Sequence, residues 1–84
     1  MTLIEVINLC REDLADESIG VRRSWEDLFR YTLKHYPERT AFGQFNPNDL
    51  EKRLLASGVN RAIVNGYVMR WREVIERHRS RTAE

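Results

Sequence analysis

The sequence has one cysteine, two prolines and four glycines in 84 residues, and each scarcity excludes something. A lone Cys10 cannot close an internal disulfide, so nothing calls for an oxidising compartment. Its spacing from Leu3, Ile7 and Leu14 puts it on the apolar side of a helix as a buried, inert thiol. Gly43, Gly58 and Gly66 are isolated and fit neither a Walker loop nor a dinucleotide fingerprint. No apolar run approaches the ~20 residues of a membrane helix. Glu5 and Asn8 interrupt the apolar start, and no basic leader precedes it, so it does not read as a signal peptide. The expectation is a soluble, cytoplasmic protein that does not enter the membrane.

Catalytic and metal-ligating groupings are missing as well. His35, His78 and Cys10 lie far apart and lack zinc-ligand spacing, so neither a metal nor any other cofactor is expected. Glu12-Asp13 and Glu26-Asp27 are sequence neighbours, which on a helix point about 100° apart and do not converge on one substrate atom. Ser18, Ser24, Ser57 and Ser80 have no triad context. By itself this chain is not expected to be an enzyme.

What remains is a chain of one-domain length, 42% hydrophobic and 32% charged, the composition of an ordinary globular protein. The net charge of +1 conceals a polarity. Residues 1–20 sum to −4, residues 21–40 to +2, residues 41–58 to zero and residues 59–84 to +3. An acidic entry followed by basic segments can mark a nucleic-acid face.

Apolar periodicity and end signals predict four helices and no strand. Thr2 with Glu5 three residues on forms a capping box, so the first helix starts at Leu3, with Val6, Ile7, Cys10 and Leu14 inward. The polar run 15–20 ends it. The second helix fits Val21–Tyr36, with Val21, Trp25, Leu28, Phe29, Thr32 and Tyr36 on one face and Pro37 as its stop. Residues 37–46 form a loop whose Phe42 and Phe45 tuck back onto the core. Asn46-Pro47 starts a third helix that shows Leu50, Leu54 and Leu55 inward and ends at Ser57 before Gly58. Asn60 caps a long fourth helix, Arg61 to about Arg79, with Ile63, Val64, Tyr67, Trp71, Val74, Ile75 and His78 inward. Arg79–Glu84 reads as a frayed exit from a longer chain.

The basic residues fall in stripes. Arg61, Asn65, Arg72 and Arg79 cluster on one side of the fourth helix, and Arg70 and Arg77 make a second, separate stripe. Arg23, Arg30 and Lys34 line the second helix away from Trp25 and Phe29, with Asp27 among them. Most charged helix faces are simply solvated. An asparagine inside an arginine stripe near a helix start is different in kind, because Asn pairs bidentately with adenine and Arg with guanine or phosphate.

Two stretches carry a family resemblance. Phe45-Asn46-Pro47-Asn48-Asp49-Leu50 is similar to the "hydrophobic–Thr–Pro–x–Asp–hydrophobic" start of the third helix in the core-binding domains of phage-integrase tyrosine recombinases. The run Val59-Asn60-Arg61-Ala62-Ile63-Val64-Asn65-Gly66-Tyr67-Val68 resembles their "Leu-Ser-x-x-Thr-hydrophobic-Asn-x-Tyr-Leu" entry into the last helix. Trp25 and Leu28-Phe29 stand where that family carries an aromatic and leucines. The resemblance covers nearly the whole chain. Ile63 stands where the family often has Thr, and Gly20-Val21-Arg22 replaces its "Ser-x-x-Thr" opening of the second helix, so the hydroxyls those positions offer to phosphates are missing.

The resemblance implies an all-α, compact four-helix SAM-like domain spanning residues 1–84. It implies half of a clamp on double-stranded DNA at the core recombination site, shared with other recombinase protomers. Strand exchange would belong to a C-terminal catalytic domain beyond residue 84, with Tyr67 here a packing residue rather than a nucleophile. Arg23, Arg30, Lys34, Arg61, Asn65 and Arg72 are the expected DNA-facing residues, on one continuous surface of the second and fourth helices. Two other readings stay open. A helix-turn-helix regulator would use Gly58 as its turn, although Leu54 stands where that crossing wants a small residue. A SAM-type protein-interaction module would use the charges only for solubility.

Overall fold

The computed structural model describes the backbone of residues 1–82 and the side chains of residues 1–78. Among the described residues the chain is all-α: α1 (Leu3–Asp13), α2 (Ile19–His35), α3 (Pro47–Ala56) and α4 (Arg61–Thr82), with a 3₁₀ turn at Phe42–Gln44. None of these helices is long and apolar enough to cross a membrane. The chain groups into two compact units, Met1–Asn46 and Pro47–Glu84.

In the first unit the capping box forms as its residue types require. The Thr2 side chain accepts from the Glu5 N–H at 3.3 Å, and the Thr2 N–H donates to Glu5 Oε1 at 3.0 Å. That backbone donor, followed by the Thr2 hydroxyl, holds the Glu5 carboxyl below the usual carboxylate range. Two further N–H groups of the first turn would be orphaned. Leu3 N–H donates instead to Thr40 C=O at 2.8 Å and Ile4 N–H to Glu38 C=O at 3.1 Å. The link between α2 and α3 is therefore pinned to the start of α1 through an isolated antiparallel bridge, Thr2 to Ala41.

Leu3, Val6, Ile7 and Cys10 of α1 and Leu28, Phe29 and Thr32 of α2 are buried. The Thr32 hydroxyl is satisfied by donating to Leu28 C=O at 2.8 Å. Phe45 is buried edge-on against Tyr36 at 5.1 Å, while Phe42 is only half-buried and stacks on Phe45 at 6.2 Å. Each fully buried Leu or Phe of this kind stabilises the fold by about 1.5–3 kcal/mol.

Two expectations for α2 need correction. The helix begins at Ile19, because the Ser18 side chain accepts from Val21 N–H at 3.3 Å and serves as the N-cap. Val21 then falls in the first turn, 40% exposed rather than inward, beside an Ile19 that is 66% exposed. At the other end Tyr36 leaves the helix with extended dihedrals, φ −132° and ψ 133°, as a residue before proline is driven to do.

In the second unit α3 ends in a Schellman turn. Gly58 adopts φ +87°, its N–H donates to Leu55 C=O, and Val59 N–H donates to Leu54 C=O, both at 3.1 Å. Asn60 then caps α4 by accepting from Ala62 N–H at 2.8 Å. α3 and α4 pack against each other. Leu50 and Leu54 are buried on α3, as are Val64, Val68, Trp71, Val74 and His78 on α4. Ile63 is the correction here, being 48% exposed. Val68, four residues after Val64 and three before Trp71, is buried at the opposite edge of the stripe from Ile63. Ile63 precedes Val64 and turns outward. The helix also continues past Arg79 to Thr82 where a frayed exit was expected, and residues 83–84 lie outside the described residues.

Candidate nucleic-acid interface

Each unit carries one group of the expected DNA-facing residues. On α2, Arg23, Asp27, Arg30 and Lys34 follow at i, i+4, i+7 and i+11, which places them within about 60° on the helix. Arg23 is exposed, and its side chain makes no hydrogen bond or ion pair among the described residues. Arg30 Nη2 lies 3.0 Å from Asp27 Oδ1 in an exposed pair. Such surface pairs contribute about 0–1 kcal/mol, so Arg30 can exchange this carboxylate for a phosphate at little cost.

Tyr31 belongs to the same cluster. The Arg30 guanidinium lies 5.8 Å and the Lys34 ammonium 5.4 Å from the centroid of its half-buried ring. The ring face attracts both cations and holds them on adjacent turns despite their like charge. An aromatic flanked by Arg at i−1 and Lys at i+3 was the available signal. Elsewhere on the same helix Glu26 is occupied by Arg11, which donates from Nε at 2.8 Å and from Nη2 at 3.1 Å. That bidentate pair joins α1 to α2 and takes an acidic residue out of play.

On α4, Arg61, Asn65 and Arg72 fall at i, i+4 and i+11, within about 40° of one another. Arg61 and Asn65 are exposed, and their side chains make no hydrogen bond or ion pair among the described residues. Asn65 is therefore not a locally bonded helix asparagine. Arg72 is exposed but held, with Nη2 donating to Asn48 Oδ1 at 2.8 Å. Asn48 sits in the first turn of α3, 24 residues away, and periodicity offers no signal for that partner. Arg53 and Asp49 pair along α3 at 2.9 Å. The side chain of Arg79 lies outside the described residues.

The start of α4 is electropositive by construction. Its first turn has no acidic side chain and carries Arg61, a cation at the end where the helix dipole is already positive. That arrangement does not serve the helix itself, and it favours an anion in front of it. Every buried side-chain nitrogen or oxygen among the described residues has a hydrogen-bond partner, so the free polar groups are at the surface. Among those residues no three His, Cys, Asp or Glu side chains group in a way that could hold a metal ion.

Comparison with protein-family models, with curated proteins and with solved structures finds no match to this chain.

Proposed function

We propose that this chain is a double-stranded DNA-binding domain, of the kind that positions a tyrosine recombinase on its core recombination site. The observation that carries the reading is the start of α4: the Arg61 and Asn65 side chains exposed and without partners among the described residues, on a turn with no acidic side chain. Phosphates satisfy the arginines and the helix end, and the Asn65 amide has the donor–acceptor pair that reads adenine. Arg23, Arg30 and Lys34 on α2 supply a second basic face, with Tyr31 supporting two of its cations. The sequence resemblance adds the recombinase context, in which a separate catalytic domain cuts the DNA and this domain contributes affinity and register.

Salt dependence tests the reading. Each phosphate neutralised contributes about −0.9 to the slope of log K against log salt, so the three cations of α2 give a slope near −2.7 and the two of α4 a slope near −1.8. Fluorescence anisotropy with a labelled duplex of about 30 base pairs, between about 50 and 200 mM salt, measures it. Absence of binding, or a slope near zero, refutes the reading and favours a protein-interaction module.

A helix-turn-helix regulator has one observation on its side, since α3, the Gly58 turn and α4 group as one unit. The fully buried Leu54 stands against it, at a crossing where that motif wants a small residue. Binding as a dimer to a palindromic site, with half-sites about one helical turn apart, would favour the regulator.

A further inference from the structure

The basic face of α2 contains one residue that works against it. Asp27 falls about 40° from Arg23, 60° from Arg30 and 20° from Lys34 on the helix, so a carboxylate stands among the three cations expected to meet phosphate. The other acidic residue of this helix, Glu26, is already held by Arg11. Nothing in the helix requires an acid at position 27. It lies in the middle of the 17-residue α2, beyond the end turns where the helix dipole acts, and aspartate is a poor former of helix interiors. Its side chain is bonded to Arg30 through Oδ1 at 3.0 Å, in a pair whose Asp27 and Arg30 side chains are 44% and 64% exposed. Oδ2 makes no hydrogen bond or ion pair among the described residues.

Against DNA this carboxylate has opposite effects on two kinds of contact. Arg30 can leave Oδ1 for a phosphate, but the exchange strands the Asp27 anion beside the phosphates that the cations engage. At about 7 Å across water, each such repulsion weakens binding roughly threefold. A phosphodiester offers nothing in return, because its oxygens only accept hydrogen bonds. A base edge can. The N4 amine of cytosine donates, and a carboxylate is the side chain that accepts from it. Asp27 therefore disfavours contact with backbone alone and favours contact with one base.

We propose that Asp27 is a selectivity residue of the basic face, accepting from the amino group of a cytosine and holding down affinity for arbitrary sequence. This inference rests on the DNA-binding reading above and deepens it.

Asp27→Asn keeps the shape of the side chain and removes its charge, and is tested in the full 84-residue chain. Affinity for a mixed-sequence duplex of about 30 base pairs at low salt rises about three- to tenfold. In duplexes selected from a randomised pool, the wild type prefers cytosine at one position and the variant loses that preference. The melting temperature falls by no more than about 3 °C, since exposed pairs of this kind contribute little. A wild-type chain that binds no duplex overturns the DNA reading itself, and this proposal with it. A wild-type chain that binds but selects no cytosine overturns only the role of Asp27. So does a variant that binds mixed sequence no more tightly, or that keeps the cytosine. A larger fall in melting temperature overturns the premise that the helix does not need this acid.

Discussion

Replacing Arg72 by alanine removes a guanidinium that Asn48 already holds in place, and the pair gives two distinguishable effects on DNA binding. Arg72 Nη2 donates one hydrogen bond to Asn48 Oδ1 at 2.8 Å, leaving its other donors for a phosphate. Loss of a charge-assisted contact costs about 1.5–3 kcal/mol, or roughly ten- to 150-fold in affinity. It also removes one released counterion, so the slope becomes shallower by about 0.9, a difference of about 3.5-fold in salt sensitivity between 50 and 200 mM. Asn48→Ala leaves the charge in place but frees the side chain. Ordering an arginine on binding costs about 0.5–1.5 kcal/mol, so affinity falls by roughly two- to thirteenfold with the slope unchanged. The double variant binds like Arg72→Ala alone, because Asn48 acts through Arg72. Anisotropy titrations of all four proteins across the salt range provide the assay. Additive losses, or a slope change in Asn48→Ala, refute the reasoning.

Three further outcomes follow from the same structure. Asn65→Ala flattens a preference for adenine at one position in sequences selected from a randomised duplex pool, losing about 1–3 kcal/mol of discrimination while the salt slope stays as it was. Gly58→Ala forces a Cβ into the left-handed region at φ +87°, and urea unfolding should show a loss of about 1–2 kcal/mol. Supercoiled plasmid incubated with the pure chain stays supercoiled with or without magnesium, since no side-chain cluster among the described residues combines a nucleophile with a base and a phosphate clamp; relaxation that persists through purification contradicts this.

The helix ends were the most legible part of the sequence, because capping chemistry is local. Thr2 with Glu5, Asn60 and Gly58 each produced the terminus that their residue types demand. Ser18 was missed because it stands in a polar run and is followed by Ile-Gly, which hid the start of α2 and led to Val21 being turned inward. Ile63 and Val68 were misassigned for a related reason: both are apolar and they border the stripe at opposite edges, so periodicity alone does not say which edge is buried. Contacts between distant positions left no trace in periodicity. The hydrogen bonds from Leu3 and Ile4 to the link after α2, the Arg11–Glu26 pair and the Arg72–Asn48 hydrogen bond all join residues far apart in sequence. In the candidate interface, the arginine stripes could be read from spacing. Which cations already have partners could not.

The most direct measurement is a titration of isotope-labelled protein with a short duplex at low salt, followed residue by residue by NMR. Shifts are expected to concentrate at Arg23, Arg30, Tyr31 and Lys34 on α2, and at Arg61, Asn65, Gly66 and Arg72 on α4. Shifts that gather instead on α1 and the acidic Asp13–Glu17 segment, or a spectrum that no duplex perturbs, would contradict it.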